Sequence, residues 1–533
     1  MDRVGERGNT MRRVGAVTII VLAVAALGGV AGAQVNIDPL KVEREVLTQE
    51  VADPTQIEVA PDGRVIIGER EGAIKVWRQD GTLIESGRIP VAGNACASCP
   101  DKLLEEGGLH GLLLDRNFMR TGKIYVHYSV PGSRKAKTQE GKFRIATFVL
   151  RKDKLDLKSR KTILEIPAEW DHCCHYGGDM TWMKDGTILL SVGDDSSPRE
   201  DMYNPRDKRK GRRAFDADRT AGNPRDLRGK ILRFTATGGV PKNNPHVGDK
   251  RYNPYVYAMG LRSDYRIGYD PVTGAVYVGN VGPDAYGSDP NRGPAGMDEL
   301  ETIPPGGGTN HGWPRCIGNN TPYMDYDYAS GESKGPLSCK GMTPATIYIP
   351  YGPSEEFPGM GLGPRTLMSG PPYRYTGKGA LQLDGAFQGK LIFWDFMRGV
   401  FWTAPIGDKG KLDTAQITSF HFHAPNSFAG AVPNLPTSPI DAEIGPDGAL
   451  YIAEYGSGFY NNPNSAVSRL KCMGCTATSA DYLGAKVRTP ELGPVETNTA
   501  ASASRLTLGT REGLLVGMLL LVIVGLSRRR RVV

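Results

Sequence analysis

Away from its two ends, the 533-residue sequence lacks net charge. The formal +7 arises from residues 1–33, where four Arg face Asp2 and Glu6, and from residues 505–533, where six Arg face Glu512. Nucleic-acid binding needs a basic surplus in the folded body; this body is neutral, so no nucleic-acid partner is expected. A His after Cys472-Met-Gly-Cys475 is also missing, which excludes attachment of a c-type haem. Long helical stretches are few. Gly 68 and Pro 38 fall between short β-branched or aromatic runs, a distribution that predicts many strands and turns. A chain of this length suits one large closed β architecture better than a simple two-layer domain.

The ends read as targeting segments. Arg12 and Arg13 precede an apolar run from Val14 to Val30, and Ala31-Gly32-Ala33 fits a signal-peptidase site, so residues 1–33 are expected to be a signal peptide, with Met11 a second possible start. An uncleaved anchor is the alternative. Residues 476–512 are rich in Ala, Ser, Thr and Pro and read as a flexible linker. Residues 513–526 are uninterruptedly apolar and Arg528–Arg531 follow, so 513–533 reads as a hydrophobic tail helix anchored in a membrane, short for a bilayer core of about 30 Å. The arginines then face the cytoplasm, and the body is extracytoplasmic, in the periplasm or at the cell surface. A cleaved sorting tail has the same layout.

Eight cysteines in an exported chain favour disulfides. They fall as Cys96/Cys99, Cys173/Cys174, Cys316/Cys339 and Cys472/Cys475, and nearness in sequence suggests four local pairs. A zinc site from Cys96, Cys99, Cys472 and Cys475 is the competing reading, opposed by an oxidising compartment.

One pattern recurs through the body: a Pro-Asp-Gly type turn, a short strand ending in a small or acidic residue, then a second strand. It appears at 61–81, 121–129, 184–195, 270–284, 388–406 and 445–458. Asp-Gly and Thr-Gly corners supply positive φ, and the flanking runs alternate or are wholly apolar. Six repeats about 60 residues apart predict an all-β, six-bladed β-propeller over residues 40–475, with loops converging on a central channel.

The densest chemistry lies between Glu169 and Ser197. His175 precedes Gly177-Gly178 and a strand from Met180 to Trp182; Asp185-Gly186 turns the chain; Ile188–Val192 returns it to Gly193-Asp194. A hairpin of this length brings His175 and Asp194 to one open end. A His beside a carboxylate is the minimum for a general base, because the carboxylate fixes the tautomer and stabilises the imidazolium. A structural His with a turn Asp fits the same pattern.

These residues resemble the soluble quinoprotein glucose/sorbosone dehydrogenases. Further segments agree in order: Glu106-Gly107-Gly108-Leu109-His110-Gly111, Asp226–Arg233, Tyr257–Arg262, Gly282-Pro283, Asp298-Glu299 and Asn310-His311-Gly312-Trp313-Pro314. The resemblance implies a six-bladed propeller using pyrroloquinoline quinone (PQQ) and calcium to oxidise a small sugar or alcohol, with an external electron acceptor. It implies that His175 takes the hydroxyl proton, Asp194 orients His175, and Arg262 stabilises charge on the quinone. Glu106 and Arg398 join Arg262 as implied cofactor contacts. The carbonyls of Gly282 and Pro283 are implied calcium ligands, while Asp298 and Glu299 either serve a structural calcium or close a polar turn.

The sequence also departs from that family. Met397 stands where a Lys is usual, Ser438 and Ile440 where two Arg are usual, and Ser263 where an Asn is usual. PQQ carries three carboxylates, so losing three cations lowers the affinity expected for it. Two other readings compete: a calcium-dependent, lactonase-like hydrolase, and a non-enzymatic propeller that binds carbohydrate or protein. The adjacent Cys173 and Cys174 are either bonded to one another beside His175 or bonded elsewhere.

Overall fold

The computed structural model describes residues 36–37, 42–92, 106–130, 140–169, 172, 174–377, 379–383, 385–420, 438–458 and 462–472. The expected signal peptide, linker and tail helix, and Cys96, Cys99, Cys173 and Cys475, lie outside these residues.

The described strands form six blades, each built on four antiparallel strands; two blades gain a short parallel fifth strand, Thr309–Asn310 on blade three and Asn36–Ile37 on blade five, and two two-stranded ribbons stand apart. Blade one is Pro54–Val59, Val65–Glu69, Ala73–Trp77 and Leu83–Arg88. Blade two is Leu109–Leu114, Lys123–Val130, Glu140–Arg151 and Lys154–Glu169. Blade three is Met180–Trp182, Thr187–Val192, Lys230–Thr235 and Val256–Met259. Blade four is Asp264–Tyr269, Val276–Asn280, Met297–Ile303 and Ile347–Pro350. Blade five is Leu367–Pro372, Lys390–Asp395, Val400–Pro405 and Thr418–Phe420. Blade six takes Pro439–Ile444, Leu450–Glu454 and Ala466–Cys472 from the end of the body, and Val42–Thr48 from its beginning as the outer strand. The first strand of each blade packs against the first strand of the next, and blade six against blade one, so the ring closes.

The second strands are buried almost from end to end, because each blade is covered on both faces. In Thr187–Val192, Ile188 and Leu190 pack toward blade two while Leu189 packs toward blade four. In Lys390–Asp395, Phe393 faces blade four and Ile392 and Trp394 face blade six. Alternation persists, but both faces are apolar, and each blade junction has its own core. Gly186, at φ 84°, turns the blade-three hairpin. Gly111 meets another constraint: a Cβ there would lie 2.0 Å from Gly178 O on blade three, because innermost strands crowd the axis.

Acidic side chains staple neighbouring blades. Asp179 Oδ2 accepts from Ile267 N at 2.9 Å, and Asp441 Oδ2 accepts from Ile57 N at 2.7 Å across the closing junction. Cys316 and Cys339 form a disulfide, as their spacing suggested.

Candidate functional site

Four side chains enter the site from the same structural position, just ahead of an innermost strand. Glu106 precedes Leu109–Leu114, His175 precedes Met180–Trp182, Arg262 precedes Asp264–Tyr269, and Arg365 precedes Leu367–Pro372. Their backbones therefore stand at one end of the ring, while the Arg365 side chain runs to Ile349 O and Pro283 O between blades four and five.

The blade-three hairpin pairs Met180 with Leu190, which brings the residues before its first strand and after its second to one end. There His175 Nδ1 lies 2.8 Å from Asp194 Oδ1. A carboxylate only accepts, so Nδ1 carries the proton, and Nε2 has no hydrogen-bond partner among the described residues. The backbone is held unusually: Cys174 and His175 have φ of 95° and 64°, and Cys174 is in a disulfide. Asp195 N donates to His175 O at 3.2 Å. A Cβ at Gly193 would come 2.0 Å from His175 O, so this approach requires glycine.

Asp194 is fully buried and completely bonded. Its Oδ1 also accepts from Ser196 N at 3.0 Å, and its Oδ2 accepts from Ser196 Oγ at 2.8 Å and Trp313 Nε1 at 2.7 Å. Burial pushes its carboxyl up, but His175, Arg262 and the Trp313 bond outweigh burial and hold it below the ordinary carboxylate range. Asp194 is therefore a charged acceptor that keeps His175 in one tautomer.

Arg262 lies 5.7 Å from the Trp313 ring and donates from Nη1 to Val281 O at 3.0 Å and Gly282 O at 2.8 Å. Trp313 thus touches both Asp194 and Arg262. Its motif is visible in the sequence, but its bridging role depends on the fold. Glu106 Oε2 accepts from Tyr176 N at 3.2 Å, next to His175.

Other implied residues sit differently. Arg398 donates to Met360 O at 2.7 Å, Gly363 O at 2.9 Å, Pro364 O at 3.2 Å and Pro350 O at 3.4 Å, so it organises the 350–364 loop. Met397 is 45% exposed, whereas Ile440 lies in the core between blades six and one. Both oxygens of Asp298 accept backbone amides, from Gly282 at 3.0 Å and Leu367 at 2.8 Å. Glu299 accepts from Gly318 N at 2.6 Å and Asn280 Nδ2 at 3.0 Å. As arranged, these two carboxylates hold loops.

The implied calcium corner is already taken. Gly282 O accepts from Arg262, and Pro283 O accepts from Arg365 Nη2 at 3.1 Å. Among the described residues, no three acidic, Cys or His side chains are grouped to hold a metal ion. A divalent cation at these carbonyls would face two guanidinium groups, so this arrangement does not fit calcium. Arg262 Nε and Nη2 and Arg365 Nη1 carry no hydrogen bond among the described residues, and two guanidinium groups at one corner suit an anion better than a cation.

The class is thus a six-bladed propeller with a histidine–carboxylate pair and basic donors at one mouth of its channel. Residues 51–350 match the family model described as Glucose / Sorbosone dehydrogenase, and the chain belongs to that family. It is 28% identical over 302 residues to an uncharacterized protein of Synechocystis sp., covering 54% of this chain and 66% of that protein. It is 24% identical over 328 residues to the aldose sugar dehydrogenase YliI of Escherichia coli, covering 60% and 76%. Among solved structures, the PQQ-bound aldose sugar dehydrogenase of Streptomyces coelicolor shares the fold, with a TM-score of 0.52 at 16% identity over 81% of this chain and 99% of that one.

Proposed function

We propose that this chain is a PQQ-dependent dehydrogenase of sugars or related alcohols. The observation that carries the reading is His175, fixed by Asp194 at 2.8 Å with Nε2 left to accept a proton. In oxidation of a CH–OH group, carbon gives up hydride and oxygen gives up a proton. His175 Nε2 receives the proton, Asp194 stabilises the imidazolium, and Trp313 keeps Asp194 from turning away. PQQ, when bound, supplies the two-electron acceptor for the hydride. Arg262, with unbonded donors, would hold that anionic group beside His175. The family match and the names of its sugar-oxidising relatives support the substrate class. The hydrolase reading draws less support, because Asp179 and Asp441, which line an inner cavity with Glu443, are bonded to strand amides and to Gln56 and Arg266.

Full-length protein supplied with PQQ should reduce an electron-accepting dye when given an aldose or polyol. Bound PQQ without dye reduction by any sugar or alcohol tested would overturn the reading. We further propose that the enzyme is exported and held outside the cytoplasm by residues 513–533. Removing residues after 505 should release it from the membrane fraction; retention of the truncated chain there would refute the anchor.

A further inference from the structure

We propose that Arg262 and Arg365, and not calcium, supply the positive charge at the Gly282-Pro283 corner, so that the anionic cofactor is held there without a metal ion. This rests on the PQQ reading above.

Arg365 occupies in blade five the place that Arg262 occupies in blade four. Each stands two residues ahead of its innermost strand, Asp264–Tyr269 for Arg262 and Leu367–Pro372 for Arg365. Each is nearly buried, at 5% and 4% exposure. They donate to adjacent carbonyls: Arg262 Nη1 to Gly282 O at 2.8 Å and Arg365 Nη2 to Pro283 O at 3.1 Å.

Arg365 is fixed from several sides. Its Nε donates to Ile349 O at 2.9 Å and lies 3.4 Å from Asp298 Oδ1, and its guanidinium sits 4.1 Å from the Tyr351 ring centroid. Asp298 also accepts from Gly282 N and Leu367 N, tying the corner to the strand that follows Arg365. A calcium ion bonds carbonyl oxygen at about 2.3–2.6 Å. At this corner it would press against both guanidinium groups while they stay in place, and moving Arg365 would strand a buried charge.

The remaining donors fit the same reading. Arg262 Nε and Nη2 and Arg365 Nη1 carry no hydrogen bond among the described residues, and the two guanidinium groups place positive charge beside the corner, charge that Met397, Ser438 and Ile440 do not supply. Charge missing from blades five and six at those positions is restored one loop earlier, at Arg365.

The test is PQQ binding to full-length protein, followed by calorimetry with calcium or with a chelator. The wild type should bind PQQ in both buffers with affinities within about threefold of each other. Arg365→Ala and Arg365→Gln should weaken binding in chelator by about tenfold or more, the scale of a lost hydrogen bond to a charged group. Binding abolished by chelator in the wild type would overturn this proposal and leave the cofactor reading intact. Unchanged affinity in both folded variants would also overturn it. Absence of PQQ binding in either buffer would overturn the cofactor reading and this proposal with it.

Discussion

Asp194 and Asp195 are neighbours in the chain, both fully buried, and both next to a histidine, yet they are different kinds of acid. Asp194 faces His175, Arg262 and Trp313, which together outweigh burial and hold it below the ordinary range. Asp195 has other partners. Its Oδ2 accepts from Glu169 N at 3.0 Å and Arg228 Nη1 at 2.9 Å, and His172 Nε2 reaches its backbone carbonyl at 2.9 Å. Burial, with Glu169 adding to it, pushes Asp195 up to about 6 although His172 and Arg228 pull it down. One His–Asp pair presents an open nitrogen toward the channel mouth; the other braces the loop beneath it. Proximity of His to Asp is common to both pairs; what separates them is the ring nitrogen of His175 that bonds to no described residue.

Removing each histidine should break the comparison most sharply. His175→Ala should lower turnover of the PQQ-loaded enzyme by on the order of 10²–10⁴-fold while leaving PQQ affinity nearly unchanged, as expected for loss of a general base. His172→Ala should cost less than about tenfold in turnover but about 1–3 kcal/mol in stability, the scale of a buried hydrogen bond left unpaired. Steady-state kinetics and urea unfolding of both variants check this; equal losses of turnover would erase the distinction.

A smaller effect separates the two acids by pH. Asp195 is raised above its unfolded value, so its contribution to stability is full below the unfolded pKa and is lost as pH rises through about 6. Relative to Asp195→Asn, which does not titrate, the wild type should lose on the order of 2 kcal/mol of unfolding free energy between about pH 4 and pH 7. Unfolding curves measured across that range should show it, and a constant difference would place Asp195 among ordinary carboxylates.

Much of the ring was legible in the sequence because its middle strands repeat one local pattern. All six recurring segments fall on the second strand of a blade, where a turn residue meets a run buried on both faces. His175 and Asp194 were legible too, since a hairpin fixes their meeting. Arg365 was not: Pro364-Arg365-Thr366-Leu367 carries no spacing that signals chemistry, and its partner is a backbone carbonyl 82 residues away. The resemblance implies a cofactor contact for Arg398, whereas the fold surrounds it with carbonyls of the 350–364 loop. The outer strand of blade six was hidden for a related reason: Arg44 and Glu454, which bond there, are 410 residues apart.

That last pairing sets a clock. At about 5–20 residues per second of synthesis, Val42–Thr48 waits on the order of tens of seconds before Ala466–Cys472 has been made. Throughout that interval it is an orphan edge, the kind of strand that recruits strangers. Its sequence is suited to waiting. Glu43, Arg44 and Glu45 stand in a row of alternating charge that repels casual partners, and each finds an opposite on arrival: Lys471 at 4.0 Å, Glu454 at 2.7 Å and Arg469 at 2.9 Å. The same three side chains meet their opposites only when the ring shuts.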